Sequence, residues 1–374
     1  MSGNRLKVID AGRGTAMLFV FLSHFVEYYL QYHGQLRALK ICWDISMVAS
    51  PTFMLISGMM LGYLFASHKT DFKPIRRKYI DRGLFLITIA HVVIWISFLP
   101  LVKTLHGNFK VLFITDIIGL SLIVGALIVD KVPALYRVIF AVVLYSFTWW
   151  FIAQDGFVNN NAEMLKAAFF GSFDCNCFFD VFPFFPWFSL YLMGTVFGEQ
   201  MYRYKSAGSS EKIARMFLRI GIVSIFAGIF LILAAKYLLS HGMIGFSNKV
   251  GSLFAHYQKN PPGLAYLLFY GGCGMIIMVI LDKIISRNLF PGFINSMEIV
   301  GKSSLFAFMF QYFIYFTVVV LINPPFFYWW PLFFCVTAIL IVLVVKFWYE
   351  KGFNQYLTIL NMPIWKFNTK SSDN

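Results

Sequence analysis

Long apolar segments, separated by short basic or polar ones, recur along the whole chain. Each apolar segment covers about 20 residues, the length that an α-helix needs to cross a hydrocarbon layer of ~30 Å. The pattern predicts about ten such helices, at residues 14–32, 45–66, 83–102, 110–129, 134–153, 183–201, 214–235, 263–282, 300–322 and 331–348. We therefore expect an all-α fold, a polytopic helix bundle that crosses a membrane about ten times.

The composition excludes a soluble globular protein. Of the 374 residues, 59% are hydrophobic and only 13% are charged, and the mean hydropathy is +0.71. Ordinary soluble domains contain about 25% charged residues. No polar stretch exceeds roughly 30 residues, whereas an independent domain needs ~50 or more. Residues 1–374 are therefore predicted to form a single membrane domain. No internal repeat of half the chain length is visible, which argues against a carrier built from two related halves.

The net charge of +14 has a topological explanation. With a cytoplasmic N-terminus, most of the 31 lysines and arginines fall on segments that face the cytoplasm, as the positive-inside rule requires. Both termini are therefore predicted to be cytoplasmic, and residues 349–374 to form a cytoplasmic tail. The same distribution removes the reason to expect a nucleic-acid partner.

The segment 154–182, predicted to lie on the outer side, is acidic and aromatic. Its four carboxylates and its single lysine are Asp155, Glu163, Asp174, Asp180 and Lys166. Aromatic ring faces stack on sugars and carboxylates accept their hydroxyl protons, so this loop could cover a saccharide site. A solvated lid without a ligand is the equally weighted alternative.

His24 and Glu27 are the first candidates for catalysis. They lie in the outer part of the first predicted span, three residues apart and so on one helix face. A titratable side chain inside hydrocarbon is costly and is therefore a functional candidate. Glu27 could orient the imidazole, whose other nitrogen would act as a general base. The alternative is a buried histidine bonded to a neighbouring helix. His33, at the outer mouth of the same helix, is the rival base.

Asp116 is a carboxylate in the middle of an apolar segment. It must face the bundle interior or a water-filled cavity, where it could orient His24 or a substrate hydroxyl. His91, near the middle of the third predicted span, is interpreted as structural because no carboxylate lies at helical spacing beside it.

Basic residues near the cytoplasmic side are candidates for phosphate binding. Arg13 lies closest to the first span and precedes Gly14, where a ligand could approach the backbone. The loop after the second span is crowded by Lys73, Arg76, Arg77, Lys78 and Arg82, with Arg76, Arg77 and Lys78 as the leading candidates. Guanidinium groups bind phosphate oxygens in pairs. The alternative for each of them is plain positive-inside charge beside anionic lipid.

No metal site or disulfide framework is predicted. His-x3-His and Cys-x2-Cys spacings do not occur, and the five cysteines show no pairing pattern. The redox compartment of the protein is left undecided by these counts.

Five short motifs resemble segments of one enzyme family and occur in the family's order. They are Arg5-x4-Asp10-x2-Arg13-Gly14, Ser50-Pro51-Thr52-Phe53 through Ser57-Gly58, Pro183-x2-Pro186-Trp187 through Gly194, Tyr257 through Pro261-Pro262-Gly263-Leu264, and Gly301-Lys302-Ser303-Ser304-Leu305. The first is similar to the first-helix signature of the transmembrane acyltransferase superfamily. The others resemble the heparan-α-glucosaminide N-acetyltransferase-like family within it.

The resemblance implies an enzyme that takes an acetyl group from cytosolic acetyl-CoA and delivers it to a sugar hydroxyl or amine beyond the membrane. It also implies a histidine catalyst. O-acyltransferase relatives place this histidine within the first helix, as His24 is placed, whereas lysosomal members place it in the following loop, closer to His33. Direct transfer and a transient acetyl-histidine both remain open.

Two functions are therefore weighed. The first is an acetyl-CoA-dependent acyltransferase with an extracytoplasmic saccharide acceptor. The second is a proton-coupled transporter or flippase of a glycan or lipid precursor, in which His24, Glu27 and Asp116 relay protons. Either protein would contact membrane lipid, and a homodimer is compatible with the sequence. The compact loops and the lack of sorting signals suggest a bacterial inner membrane.

Overall fold

The computed structural model describes residues 7–33, 36–100, 111–153, 160–172, 180–241, 253–254, 259–322 and 329–360. It confirms an all-α fold, because helices cover nearly all of these ranges. The α-helices are α1 (Lys7–His33), α2 (Arg37–Ser46), α3 (Ala49–Ser67), α4 (Lys73–Phe85), α5 (His91–Phe98), α6 (Ile114–Ile128), α7 (Ala134–Ala153), α8 (Asn160–Phe169), α9 (Phe184–Ser206), α10 (Ser210–Ser240), α11 (Leu264–Ser286), α12 (Pro291–Lys302), α13 (Ser304–Tyr312), α14 (Val319–Ile322) and α15 (Trp330–Glu350).

Short irregular elements complete the description. π-Helical turns at Leu86–Ala90 and Phe313–Val318 join α4 to α5 and α13 to α14. Two-residue strands, β1 (Val111–Leu112) and β2 (Asp180–Val181), pair in parallel, and a 3-10 turn at Phe353–Tyr356 follows α15.

Within the described ranges, seven helices are long and apolar enough to cross a membrane. They are Arg37–Ser67, Lys73–Phe98, Ala134–Ile152, Glu211–Leu238, Leu264–Ser286, Ser304–Ile322 and Trp330–Glu350. The predicted spans 14–32, 110–129 and 183–201 fall on α1, α6 and α9, which are not among the seven. The count of ten and the cytoplasmic position of both termini remain predictions.

Helix α6 is shorter than its sequence pattern suggested. It has 15 residues, or about 22 Å at 1.5 Å per residue, which is less than the thickness of a bilayer core. The helix begins at Ile114 because the carboxylate of Asp116 accepts a hydrogen bond from the backbone N–H of Phe113, 2.8 Å away, and so caps the helix start. Apolarity alone does not reveal such a cap.

Small residues bring the central helices into close contact. Gly58 and Gly62 of α3 face α9, and a methyl group at Gly62 would overlap the backbone oxygen of Thr195. In the same way, Gly14 of α1 lies directly against the backbone of Met297 in α12. Small residues at such crossings let helix backbones approach where lipid supplies no hydrophobic driving force. The Gly14 contact fixes the position of Arg13 along the axis of α1 relative to α12.

The outer helices present apolar side chains to the surroundings. Only 17% of the apolar window of Glu211–Leu238 is buried, against 89% for Arg37–Ser67. On α10, Val223, Phe226 and Phe230 are each at least two-thirds exposed. Apolar helix faces of this kind are stable against lipid and unstable against water. The bundle therefore has a lipid-facing rim around a tightly packed centre.

The first part of the segment 349–374, predicted to be a cytoplasmic tail, packs against the bundle after α15, and its cytoplasmic position remains a prediction. Gly352, with φ of +71°, turns the chain back, and residues 353–360 pack against the bundle. The remainder of the predicted tail, residues 361–374, lies outside the described residues.

Candidate functional site

Two adjoining cavities occupy the centre of the bundle. The first, of about 340 Å³, contains His24 and is called here the His24 cavity. The second, of about 760 Å³, is lined by cationic side chains and is called the basic cavity. Three side chains line both: Phe53, Ile118 and Phe308. The two cavities are therefore separated by a partition that is one layer of side chains thick.

His24 is held by a residue from another helix. Its Nδ1 lies 2.8 Å from Oε1 of Gln311, which is fully buried. In this orientation of the Gln311 amide its oxygen faces the ring and accepts from Nδ1–H, the tautomer in which Nε2 carries the lone pair. The rings of Tyr312 and Phe316 pack against the imidazole at centroid distances of 4.6 and 5.2 Å. His24 therefore has the protonation pattern and the fixed position of a general base.

Glu27 lines the same cavity as His24, as their three-residue spacing suggested. The partner of the imidazole is nevertheless Gln311, and not the carboxylate that the sequence favoured for this role. Helical spacing shows which side chains share a face of one helix, whereas Gln311 reaches His24 from α13. Glu27 is therefore a group that faces the cavity beside the histidine.

A lysine and several aromatic rings complete the His24 cavity. The Nζ of Lys259 lies 4.8 Å from the ring centroid of Trp43 and 5.9 Å from that of Phe182. Trp95 lines the same space. Sequence reasoning missed Lys259, which sits inside the motif ending at Leu264 but is not part of its proline pattern. The cavity therefore offers a base, a carboxylate, a cation and flat apolar surfaces.

Asp116 is not placed to orient His24. Its two carboxylate oxygens lie 3.0 and 2.9 Å from Nδ1 of His91, and one of them also accepts the backbone N–H of Phe113. Neither Asp116 nor His91 lines either cavity. His91 therefore does have a carboxylate partner, 25 positions away in sequence. The pair joins α5 to the start of α6 and positions Phe113, whose ring lines the His24 cavity.

The basic cavity brings together cationic side chains from three helices, α1, α4 and α12. These side chains are Arg13, Lys78, Arg82 and Lys302, with His68 beside them. Three residues of the predicted phosphate-binding set, Arg13, Lys78 and Arg82, are among them. The clustering of positive charge creates a site for an anion with several negative groups.

Arg76 and Arg77 do not line the basic cavity. Arg76 forms an ion pair with Asp130 and lies over the ring of Phe72, with its guanidinium carbon 5.6 Å from the ring centroid. Arg77 is exposed. The basic run after α3 is helical, so its side chains point in different directions and only some of them can face one cavity. Arg82, another member of the predicted cluster, lies one turn after Lys78 and lines the cavity with it.

Arg13 and Lys302 are both fixed by α12. Nη1 of Arg13 lies 3.4 Å from the carbonyl oxygen of Gly301, and Nζ of Lys302 lies 2.6 Å from Oε1 of Glu298. Partial burial lowers the pKa of Lys302, but the hydrogen bond and the charge of Glu298 outweigh this effect and the pKa lies above the usual lysine value. Lys302 therefore keeps its positive charge throughout the physiological range.

Two of the three side chains in the partition between the cavities, Phe53 and Phe308, are aromatic. The rings of Phe53 and Phe308 meet edge to face at 6.3 Å, and Phe308 contacts Tyr312, which packs on His24. Arg13 and His24 lie eleven residues apart on α1, which corresponds to about 16 Å along the helix axis. The basic residues and the histidine thus lie on opposite sides of this partition.

Several residues of the predicted outer site fall outside the described part. They are the side chains of His33 and Asp180, and the segments 154–159 and 173–179 with Asp155 and Asp174. The described part of this loop contains α8, where Glu163 accepts a hydrogen bond from the hydroxyl of Ser172 at 2.7 Å and Lys166 is 5% exposed. In the described ranges, no three His, Cys, Asp or Glu side chains come together as metal ligands would.

The comparisons with known proteins give one finding. The sequence model of the family described as heparan-alpha-glucosaminide N-acetyltransferase, catalytic, matches residues 5–226, which is more than half of the chain. A comparison with curated proteins gives no match. The matched region includes His24, Glu27, Arg13 and the basic helix α4. Lys259, Lys302 and Gln311 lie beyond it.

Proposed function

The chain belongs to the heparan-alpha-glucosaminide N-acetyltransferase catalytic family, and from this premise we propose that it transfers an acetyl group from cytosolic acetyl-CoA to a hydroxyl or amine of an extracytoplasmic saccharide. The observation that carries the proposal is the pair of cavities, one basic and one containing His24, that meet at a single layer of side chains. We place this multi-pass membrane protein in a cell inner membrane.

The basic cavity suits the donor. The phosphates of acetyl-CoA would bind Arg13, Lys78, Arg82 and Lys302, because guanidinium and ammonium groups form strong charge-assisted hydrogen bonds with phosphate oxygens. Its volume of about 760 Å³ falls in the usual range for ligand sites, roughly 300–1,000 Å³. The narrow pantetheine arm would then extend toward Phe53 and Phe308 and present the thioester to His24.

The His24 cavity suits the acceptor. The rings of Trp43, Trp95 and Phe182 provide flat apolar surfaces for the faces of a sugar ring, and Glu27 can accept hydrogen bonds from its hydroxyl groups. A volume of about 340 Å³ is enough for one saccharide unit in the cavity with the rest of the glycan outside.

The chemistry proposed for His24 is that of a general base. Nε2 removes the proton from the acceptor hydroxyl or amine as its oxygen or nitrogen attacks the thioester carbonyl. The new carbon–oxygen or carbon–nitrogen bond forms, the carbon–sulfur bond breaks, and the thiolate of CoA leaves and is protonated by the imidazolium. Gln311 keeps the other ring proton on Nδ1 throughout, so the imidazole returns to its starting form.

The transporter hypothesis receives no support from the arrangement of its proposed relay. It required Asp116 to exchange protons with His24 and Glu27. Asp116 is instead bonded to His91 and to the backbone of Phe113, outside the His24 cavity.

The proposal is tested with purified protein in detergent. Acetyl-CoA should raise the melting temperature of the wild type and of His24→Ala, because a ligand that binds only the native state stabilises it. Transfer of labelled acetyl to a panel of sugars and amino sugars should fall by roughly 10²–10⁴-fold in His24→Ala, the usual contribution of a general base. His241→Ala removes an exposed histidine at the end of α10 and should behave as wild type. Normal turnover in His24→Ala, or no stabilisation of the wild type, contradicts the proposal.

A further inference from the structure

The segment that follows α15 folds back onto the basic cavity. This segment, residues 353–360, is called here the C-terminal strap. Gly352 adopts the left-handed conformation that turns the chain, and a 3-10 turn at Phe353–Tyr356 begins the strap. Two strap residues, Asn354 and Leu357, line the basic cavity. The family match ends at residue 226, so the strap lies outside the region that the family model covers.

The first end of the strap is attached beside Lys302. Nδ2 of Asn354 donates to the hydroxyl oxygen of Ser303 at 2.8 Å, and Oδ1 of Asn354 accepts from the indole Nε1 of Trp348 at 3.1 Å. Ser303 directly follows Lys302 and also lines the cavity. The amide of Asn354 is therefore used to hold the strap in place, while Leu357 supplies an apolar surface.

The second end is attached to the helix that carries the basic residues. The carboxylate of Asp81, 3% exposed, accepts the backbone N–H groups of Ile359 at 2.8 Å and Leu360 at 2.6 Å. It also accepts the hydroxyl of Thr358. A buried carboxylate with three donors is well satisfied, and its hydrogen bonds fix the backbone that supplies them.

The position of Asp81 connects the strap to the cationic side chains. Asp81 lies on α4 between Lys78 and Arg82, both of which face the basic cavity. The other end of the strap is at Ser303, five residues before Phe308 and so about 7 Å along the helix from the partition. The strap therefore lines the same cavity as the charged side chains, where the phosphates of the donor would bind, and does not line the His24 cavity.

We propose that the C-terminal strap is a wall of the donor site that contacts the nucleotide end of acetyl-CoA, and that Asp81 is the positioning residue that holds this wall against α4. The inference rests on the proposed function and adds to it a part of the chain that the family match does not reach. It concerns recognition of the nucleotide and leaves the chemistry at His24 untouched.

The test compares two donors that differ only at the end the strap would contact. Acetyl-CoA carries the nucleotide and acetyl-pantetheine lacks it, so the ratio of their kcat/KM values measures recognition of the nucleotide. In Asp81→Ala and in Leu357→Ala this ratio should fall at least about fivefold, while kcat/KM for acetyl-pantetheine stays within about twofold of wild type. Glu350→Gln alters an exposed side chain at the end of α15 and should keep the wild-type ratio.

If Asp81→Ala fails to fold, Leu357→Ala alone tests the proposal. We expect Leu357→Ala to fold, because Leu357 is partly exposed and takes no part in the hydrogen bonds of Asp81. An unchanged ratio in a folded Leu357→Ala protein overturns the strap proposal and leaves the proposed function standing. An equal loss of kcat/KM with both donors also overturns the strap proposal, because it would indicate a purely structural role. A wild-type protein that turns over neither donor overturns the proposed function, and the strap proposal with it.

Discussion

Gln311 shows how the properties of one catalytic candidate depend on a single distant side chain. It contacts His24 across 287 positions of sequence and, as an acceptor, keeps the imidazole proton on Nδ1. Without this contact the ring could rotate or take up the other tautomer, and Nε2 would no longer be an available base. Gln311 is thus a positioning residue for His24.

Gln311→Leu tests this role. The substitution keeps the approximate volume but removes the acceptor, and we expect kcat to fall by about 10- to 100-fold, a part of the contribution of the base itself. Stabilisation by acetyl-CoA should be unchanged, because Gln311 does not line the basic cavity. Thr317→Val is the matched control, since it also removes a side-chain hydrogen bond in the same region, to Ser97, without contacting His24. Equal kcat losses in the two variants would show that Gln311 acts only through packing.

At the scale of helices, Asp116 and His91 form a junction. The carboxylate caps α6 and pairs with the first residue of α5, so one residue fixes the start of α6 against the start of α5. The π-helical turn Leu86–Ala90 directly precedes His91 and shifts the side chains that follow it around the helix axis. This junction supports the wall of the His24 cavity through Phe113.

Asp116→Ala should destabilise the protein more than it affects catalysis. It leaves both the imidazole of His91 and the N–H of Phe113 without their acceptor, at a cost of about 2–4 kcal/mol. Asp116→Asn retains an oxygen that can accept the Phe113 N–H, so its loss of stability should be roughly half that of Asp116→Ala. Melting temperatures in detergent, with turnover measured per folded molecule, separate the two effects. A fully stable Asp116→Ala protein without activity would instead place Asp116 in the reaction.

At the scale of the whole molecule, the aromatic partition keeps two compartments apart. Phe308 is 4% exposed and contributes to both linings. A thioester that enters from the basic cavity must pass this layer to reach His24. We expect the same layer to block water from passing between the two cavities. The partition would therefore favour transfer to the acceptor over hydrolysis.

Phe308→Ala should raise the ratio of acetyl-CoA hydrolysis to acetyl transfer several-fold, because the lost ring opens a route for water between the cavities. The rate of free CoA release without acceptor, divided by the rate of transfer with acceptor, measures this ratio. Phe313→Ala removes a ring that is 45% exposed and lines neither cavity, and it should leave the ratio unchanged. A ratio in Phe308→Ala equal to that of the control would mean that the partition does not control access of water.

The sequence by itself determined the all-α membrane fold and the sharing of one cavity by His24 and Glu27. Apolar segment length and helical spacing are local properties, and each can be read within about 20 residues. The positions of Arg13 and Lys78 in one basic site also followed, because charge near a span boundary is visible in the sequence.

Only the tertiary structure decided which side chains meet from different helices. It joined His24 to Gln311 and Asp116 to His91. It also kept Lys78 and Arg82 of the predicted basic cluster in the basic cavity, left Arg76 and Arg77 out, and added Lys302. These choices depend on how the helices are rotated and how far they slide along one another, which small residues such as Gly14 and Gly62 set through direct backbone contact. Rotation and sliding of packed helices are products of the whole bundle, so no single segment encodes them.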